Sequence, residues 1–187
     1  MKSTRTFLSH NWGEEGKNHE KIKKIDGALQ KLNTTTWFDE ERMYGNIRAK
    51  MMEGIENADT FVAFITKQYC NKVNSDDKRD SCCFEFNAAF DALSNKRMIA
   101  VVMEPSMRDW REWGGLVKNV LGGSHYLDFS NRNFNNKKDI RRMANELNSQ
   151  IDRVMAEYNE VLYFSYNLVN TTTLIVTCLL IVHTMYV

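Results

Sequence analysis

The stretch DSCCFEFNAAFDAL, residues 80–93, places one carboxylate among thiols and apolar side chains. Glu85 comes two residues after the adjacent pair Cys82 and Cys83, and mostly apolar residues follow it. This pattern predicts a buried helix with Glu85 near its mouth. A carboxylate there can cap and solubilise the helix start, or it can stabilise positive charge that develops in a reaction.

Other reactive side chains do not assemble into a known motif. The four cysteines include no CxxC pair, and no two histidines stand beside them at ligand spacing, so the sequence predicts free thiols and no metal site. GxGxxG and GxxxxGK[ST] are both absent, which excludes a dinucleotide fingerprint and a P-loop. His10 closes the first apolar run, and we interpret it as a structural hydrogen-bonding residue rather than a general base.

Composition is typical of one globular domain in a reducing compartment. The chain has 187 residues, 43% of them hydrophobic and 26% charged, with a net charge of +1. No basic stripe stands out, so nucleic acid is not a predicted partner. The N-terminus MKSTRTFLSH does not resemble a signal peptide, which predicts a cytoplasmic location.

Short apolar segments alternate with segments of helical periodicity. The predicted strands are 5–10, 34–39, 59–66, 97–105 and 124–129. The predicted helices are 17–32, 47–56, the one that contains Glu85, 108–122 and 137–158. We interpret Asn33 as a left-handed cap after the first helix, and the residues from Thr66 to the Glu85 helix as a loop.

This alternation predicts an α/β fold with a doubly wound parallel sheet between helices. In such folds ligands bind beyond the carboxyl ends of the strands. Here that edge is formed by SHNWG after the first strand, DEERMYG after the second, and the loop from Thr66 towards Glu85.

Four motifs in order, FLSHNWG, WFDEERMYGNIRAKMMEGIENADTFVAFIT, CCFEFNAA and MIAVVMEP, make the chain resemble a TIR domain. The resemblance runs from about residue 5 to about residue 150. It implies a flavodoxin-like three-layer sandwich with strand order 2-1-3-4-5. A receiver domain shares this fold, but it needs clustered aspartates after the first strand, where SHNW has none.

The resemblance implies two activities. TIR domains assemble with themselves or with other TIR domains, and the loop after the second strand, here 39–46, docks on a neighbour. Some also cleave the nicotinamide–ribose bond of NAD⁺, which is a substrate rather than a cofactor, with a glutamate that corresponds to Glu85. The resemblance assigns NAD⁺ binding to Ser9, Asn11, Trp12, Phe38, Ser81 and Cys82.

Three positions differ from residues found in NAD⁺-cleaving members. Ser81 stands where the family's pattern has a tryptophan four residues before the glutamate, and Asn11 and Trp12 stand where the animal axon-degeneration TIR enzyme has paired arginines. Trp12 and Trp37 can offer aromatic surfaces to the rings of NAD⁺. The alternative function is a non-catalytic adaptor that recruits other TIR domains, in which Glu85 only caps its helix.

The C-terminal segment changes character. From Val161 to Val187 there is no Lys, Arg, Asp or Glu, so we expect a TIR domain over 1–159 and an apolar C-terminal helix over 160–187. The length and the basic residues before it favour a membrane tail anchor. The 14 residues from Leu174 also fit a buried helix, a strand or an oligomer contact.

Overall fold

A five-stranded parallel sheet forms the centre of the computed structural model, which describes residues 4–38, 47–75 and 77–185, with side chains up to residue 166. Within this part the strands are β1 Arg5–Ser9, β2 Thr35–Trp37, β3 Thr60–Ile65, β4 Met98–Val102 and β5 Tyr126–Asp128. Their order is β2-β1-β3-β4-β5, and every neighbouring pair is parallel. The predicted flavodoxin-like fold is confirmed.

Helices cover both faces of the sheet. In the described residues they are α1 Lys17–Gln30, α2 Ile47–Glu56, α3 Lys67–Asn74, α4 Ser81–Leu93, α5 Gly115–Leu121 and α6 Lys137–Met185. One core lies under α1 and α6, and the other lies under α2, α3, α4 and α5. Strands β3 and β4 are buried along their whole length because both of their faces are covered, which explains their apolar sequences.

Side chains of strand β1 enter both cores of the domain. Phe7 stacks on Trp37 of β2 with ring centroids 4.3 Å apart and on Phe61 of β3 at 5.5 Å. Leu8 points into the opposite core. Ser9 is the last residue of β1, and because side chains alternate along a strand, it lies on the same face as Phe7.

Helix α3 corrects the sequence prediction, which had a loop over its residues. Its N-cap is Thr66, whose hydroxyl accepts a hydrogen bond from the Tyr69 backbone N–H at 2.9 Å. Over its eight residues only Tyr69, Cys70 and Val73 are buried. So short an apolar stripe in a polar segment is a weak periodic signal, and for that reason the helix was missed.

Two other helices also differ from the predictions. Residues 108–122 do not form one helix, since Gly114, which has a positive φ, separates a 3-10 turn, Trp110–Trp113, from α5, which begins at Gly115. Within the α4 sequence the prediction of a buried helix is only half right, because Phe90 is 39% exposed. Asn33 has φ 63°, so the predicted left-handed residue after α1 is confirmed.

Helix α6 continues past the predicted domain boundary at 159/160 without a break. Val161, Leu162, Tyr163, Phe164 and Tyr166 are exposed on it. No helix in the part of the chain that the structure describes is both long and apolar enough to cross a bilayer. The side chains of 167–187 lie outside that part, so the apolar C-terminal helix and the tail anchor stay predictions.

Candidate active site

Glu85 lies in the second turn of α4 and is not its cap. The N-cap is Asp80, whose carboxylate accepts hydrogen bonds from the backbone N–H groups of Cys82 at 2.8 Å and Cys83 at 3.4 Å. Only 5% of Glu85 is exposed. Helical side chains lean towards the N-terminus, so Glu85 points to the edge of the sheet where β1 ends. The interpretation of Glu85 as a solubilising cap is therefore wrong.

A chain of hydroxyl groups ends on Glu85. The Ser9 hydroxyl donates to Glu85 Oε2 at 2.6 Å, and the Tyr69 hydroxyl lies 3.0 Å from Ser9 Oγ. All three side chains are buried. Burial, helped by the nearby Cys82 and Glu85, raises the pKa of Tyr69 well above its ordinary value, so the phenol stays protonated at neutral pH.

Lys72 of α3 contacts the site through an ion pair with Asp80, the N-cap residue of α4. Its Nζ lies 2.5 Å from Asp80 Oδ2. The hydrogen bond to Asp80 is the main cause that raises the pKa of Lys72, and the charge of Glu85 adds to it. The ammonium group therefore stays charged beside the mouth of α4.

Cys82 connects α4 to the end of β1. Its thiol donates to the backbone oxygen of His10 at 3.5 Å. Burial and the nearby Glu85 raise the pKa of the Cys82 thiol, so it remains neutral and is a poor nucleophile. Ser81, one residue earlier, is exposed on the first turn of the helix.

Asn11 fastens the end of β1 to the end of β3. Its Oδ1 accepts from the Thr66 hydroxyl at 2.6 Å, and its Nδ2 donates to Gln68 Oε1 at 2.7 Å. The Asn18 amide donates to its backbone oxygen at 2.7 Å. Asn11 is buried, and both polar atoms of its amide make these hydrogen bonds. They connect the chain after β1 to the chain after β3, at the switch point of the sheet.

Aromatic rings form a second group on the α1 face of the sheet. The indole of Trp12, which is 47% exposed, stacks on the His19 ring with centroids 4.3 Å apart. Phe38 packs on His19 at 4.8 Å and on His10 at 5.3 Å. Trp37 lies on the opposite face against Phe7, so it belongs to the core and not to this group.

Similarity to known proteins identifies the family. A family model described as the TIR domain matches residues 6–144, which is well over half of the chain. The chain belongs to the TIR domain family. A search of curated proteins finds no match. Among solved structures, a CMP N-glycosidase from Clostridium botulinum, BcmB, is similar with 14% identity and a TM-score of 0.48, covering 77% of this chain and 99% of that one.

The structure of this TIR domain brings some of the predicted site residues together and separates others. Ser9 and Cys82 lie with Glu85 where β1 ends, whereas Trp12 and Phe38 are joined through His19 on the α1 face. Within the described residues, no group of three or more His, Cys, Asp or Glu side chains is placed to hold a metal ion.

Several residues of the TIR domain site were not found from the sequence. They are Thr66, Gln68, Tyr69, Lys72, Asp80 and His19. Two signals for them were available, because Thr66 directly follows an apolar strand and Asp80 directly precedes an apolar run, and both are N-cap residue types. Recognising these caps would have placed α3 between them.

The buried pair His10 and His19 predicts a pH effect on the stability of the TIR domain. His10 Nε2 lies 2.8 Å from His19 Nδ1, and burial together with the charge of His19 lowers the pKa of His10 from 6.5 to about 4. Between these values the unfolded chain binds more protons, so the free energy of unfolding falls as the pH drops from 6.5 towards 4.

Chemical denaturation of wild type and His10→Asn at several pH values measures this effect. The difference in free energy of unfolding between the two proteins should change over this pH window. The change should be about 1.4 kcal/mol for each unit by which the pKa of His10 differs between the folded and the unfolded chain. His125→Asn is the control, because His125 is exposed. A pH dependence that is the same in wild type and His10→Asn would contradict the assignment.

Proposed function

We propose that this TIR domain hydrolyses NAD⁺ to nicotinamide and ADP-ribose, with Glu85 as the catalytic carboxylate. The observation that carries the proposal is the buried Glu85 carboxylate, which lies at the mouth of α4 while Asp80 does the capping. Burying a carboxylate costs free energy, and the helix start does not need a second acid. A buried ionisable group beside the ligand crevice of a parallel sheet is a candidate for catalysis.

The chemistry needs one negative charge beside the reacting ribose. The bond between ribose and nicotinamide breaks with its electron pair going to the nicotinamide nitrogen, and the pyridinium becomes neutral. The ribosyl carbon is left with oxocarbenium character, which the Glu85 carboxylate stabilises. Water then adds to that carbon, and its proton passes to Glu85 and on to solvent.

Exposed aromatic surface on the α1 face of the sheet suits a substrate with two flat rings. Trp12 has one face on His19, while nearly half of its side chain remains exposed. We assign it to stacking on a ring of NAD⁺, and it occupies a position where arginines stand in some NAD⁺-cleaving relatives. Ser81, exposed in place of the usual tryptophan, leaves more room at the mouth of α4.

The experiment is release of nicotinamide by purified protein at concentrations where it assembles. Chromatography of NAD⁺ incubated with the protein and of NAD⁺ alone gives the enzymatic rate. Release above the control supports hydrolysis. Assembled samples that release none would end the enzymatic proposal and leave the adaptor function.

We also propose that the domain associates with itself through the loop 39–46. This loop lies outside the described residues, and the proposal rests on its sequence and on the family. It combines three acids with Arg42, Met43 and Tyr44, and Gly45 supplies a bend. Clustering would raise the local concentration of sites, which favours further contacts between domains.

Met43→Asp should weaken self-association, because docking would then bury an unpaired charge. We expect an increase of about tenfold or more in the dissociation constant, measured by analytical ultracentrifugation over a range of concentrations. Asn131→Asp adds the same charge at an exposed position outside the loop and serves as the control. If both variants sediment like wild type at every concentration, the loop is not the interface.

A further inference from the structure

The direction of the hydroxyl chain at Glu85 follows from counting protons. A serine hydroxyl has one proton, and the Ser9 proton is directed at Glu85 Oε2, 2.6 Å away. The Tyr69 hydroxyl, 3.0 Å from Ser9 Oγ, must therefore donate to serine rather than accept from it. The chain runs from the phenol through the serine to the carboxylate.

Both donors are held by rigid elements. Ser9 ends β1 and is paired with Ala63 of the buried strand β3. Tyr69 is in the first turn of α3, where its backbone N–H bonds the capping hydroxyl of Thr66. Neither side chain has any exposed surface, so solvent does not compete for these hydrogen bonds.

We propose that Ser9 and Tyr69 are positioning residues for Glu85, which together hold its carboxylate in one orientation and in its ionised form. A hydrogen bond that is donated to a carboxylate favours the charged state, and Tyr69 acts only through Ser9. The proposal rests on the proposed hydrolysis of NAD⁺ for its functional meaning. It gives Ser9 a role different from the substrate contact predicted from the sequence.

Several other groups act on the same carboxylate. From α3, Lys72 provides a positive charge, and from the start of α4, Asp80 and the neutral Cys82 thiol lie close by. These groups are the same in wild type and in the variants below. Comparison between variants therefore isolates the hydroxyl chain.

Carbon-13 NMR of protein labelled at glutamate carboxyls tests the proposal without any substrate. The Glu85 signal is identified by its loss in Glu85→Gln. In Ser9→Ala we expect the pH midpoint of this signal to move upwards by about one unit, since a hydrogen bond to a charged group is lost. Tyr69→Phe should give a smaller shift in the same direction.

The double variant gives the sharpest outcome. If tyrosine acts through serine, Ser9→Ala with Tyr69→Phe should match Ser9→Ala alone. Ser9→Thr keeps a hydroxyl and should restore the wild-type midpoint. The control is Tyr126→Phe on β5, which β3 and β4 separate from β1; it removes a hydroxyl that donates to the backbone oxygen of Arg108.

Kinetics with NAD⁺ complete the test. Ser9→Ala should lower kcat several-fold with little change in KM. The acid side of the curve of kcat against pH should shift by the same amount as the NMR midpoint. Failure of wild type to hydrolyse NAD⁺ would overturn the proposed function, while the NMR titration would still decide the positioning role. An unchanged midpoint in Ser9→Ala, or a full Tyr69→Phe effect in the Ser9→Ala background, would overturn the positioning role.

Discussion

Glu85→Gln is expected to reduce the rate of nicotinamide release by about 10²-fold or more. Glutamine has nearly the same shape and keeps an oxygen that can accept the hydrogen bond from Ser9. It lacks the negative charge that would stabilise the ribosyl centre. The loss should therefore appear in kcat, with protein that remains folded, and chromatography of the products measures it.

A matched change on the same helix separates charge at the site from charge in general. Asp91→Asn removes one acid from the exposed side of α4 and should leave turnover unchanged. Equal turnover by wild type and Glu85→Gln would end the catalytic assignment of Glu85. A similar loss in both variants would mean that the effect is not specific to the site.

Two glycines in helices should respond to alanine with opposite signs. A Cβ at Gly27 in α1 would meet nothing within 4 Å, whereas one at Gly54 in α2 would lie 2.6 Å from Trp37 Nε1. Alanine is more favourable than glycine in a helix by about 1 kcal/mol, so Gly27→Ala should stabilise the protein. Trp37 cannot move away easily, because its ring is stacked on Phe7.

Gly54→Ala should therefore lower the free energy of unfolding by about 1–3 kcal/mol, the usual effect of overpacking. Urea denaturation of wild type and the two variants measures both changes under the same conditions. Gly27→Ala serves as the control for helix propensity. Stabilisation by Gly54→Ala would show that the indole can shift, and would contradict the tight packing of α2 on β2.

The sequence predicted most strands and helices well, because these elements depend on local patterns of apolar residues. The runs that became β3 and β4 are apolar along their length since both faces of these strands are covered. Helices α1 and α2 follow from apolar residues repeated at helical spacing. The position of Glu85 on a helix after the third strand was confirmed for the same reason.

Helix α3 was the exception among the elements. Eight residues with three buried side chains make a helix only because the chain packs them on the sheet and on α4. Because α3 was not predicted, Tyr69 and Lys72 were not recognised as residues of the candidate site. Both residues contribute through contacts with parts of the chain that the local sequence does not indicate.

By itself, then, the sequence determined the α/β fold, the succession of its five strands along the chain and the place of Glu85 near a helix start. Only the tertiary structure decided what surrounds Glu85, because Ser9 and Tyr69 are 76 and 16 positions from it in the chain. The neighbours Trp37 and Phe38 are a second case in which the sequence predicts one property and packing decides another. Alternation predicts that they face opposite sides, but packing of β2 decided that Trp37 enters the α2 core while Phe38 joins the histidine pair.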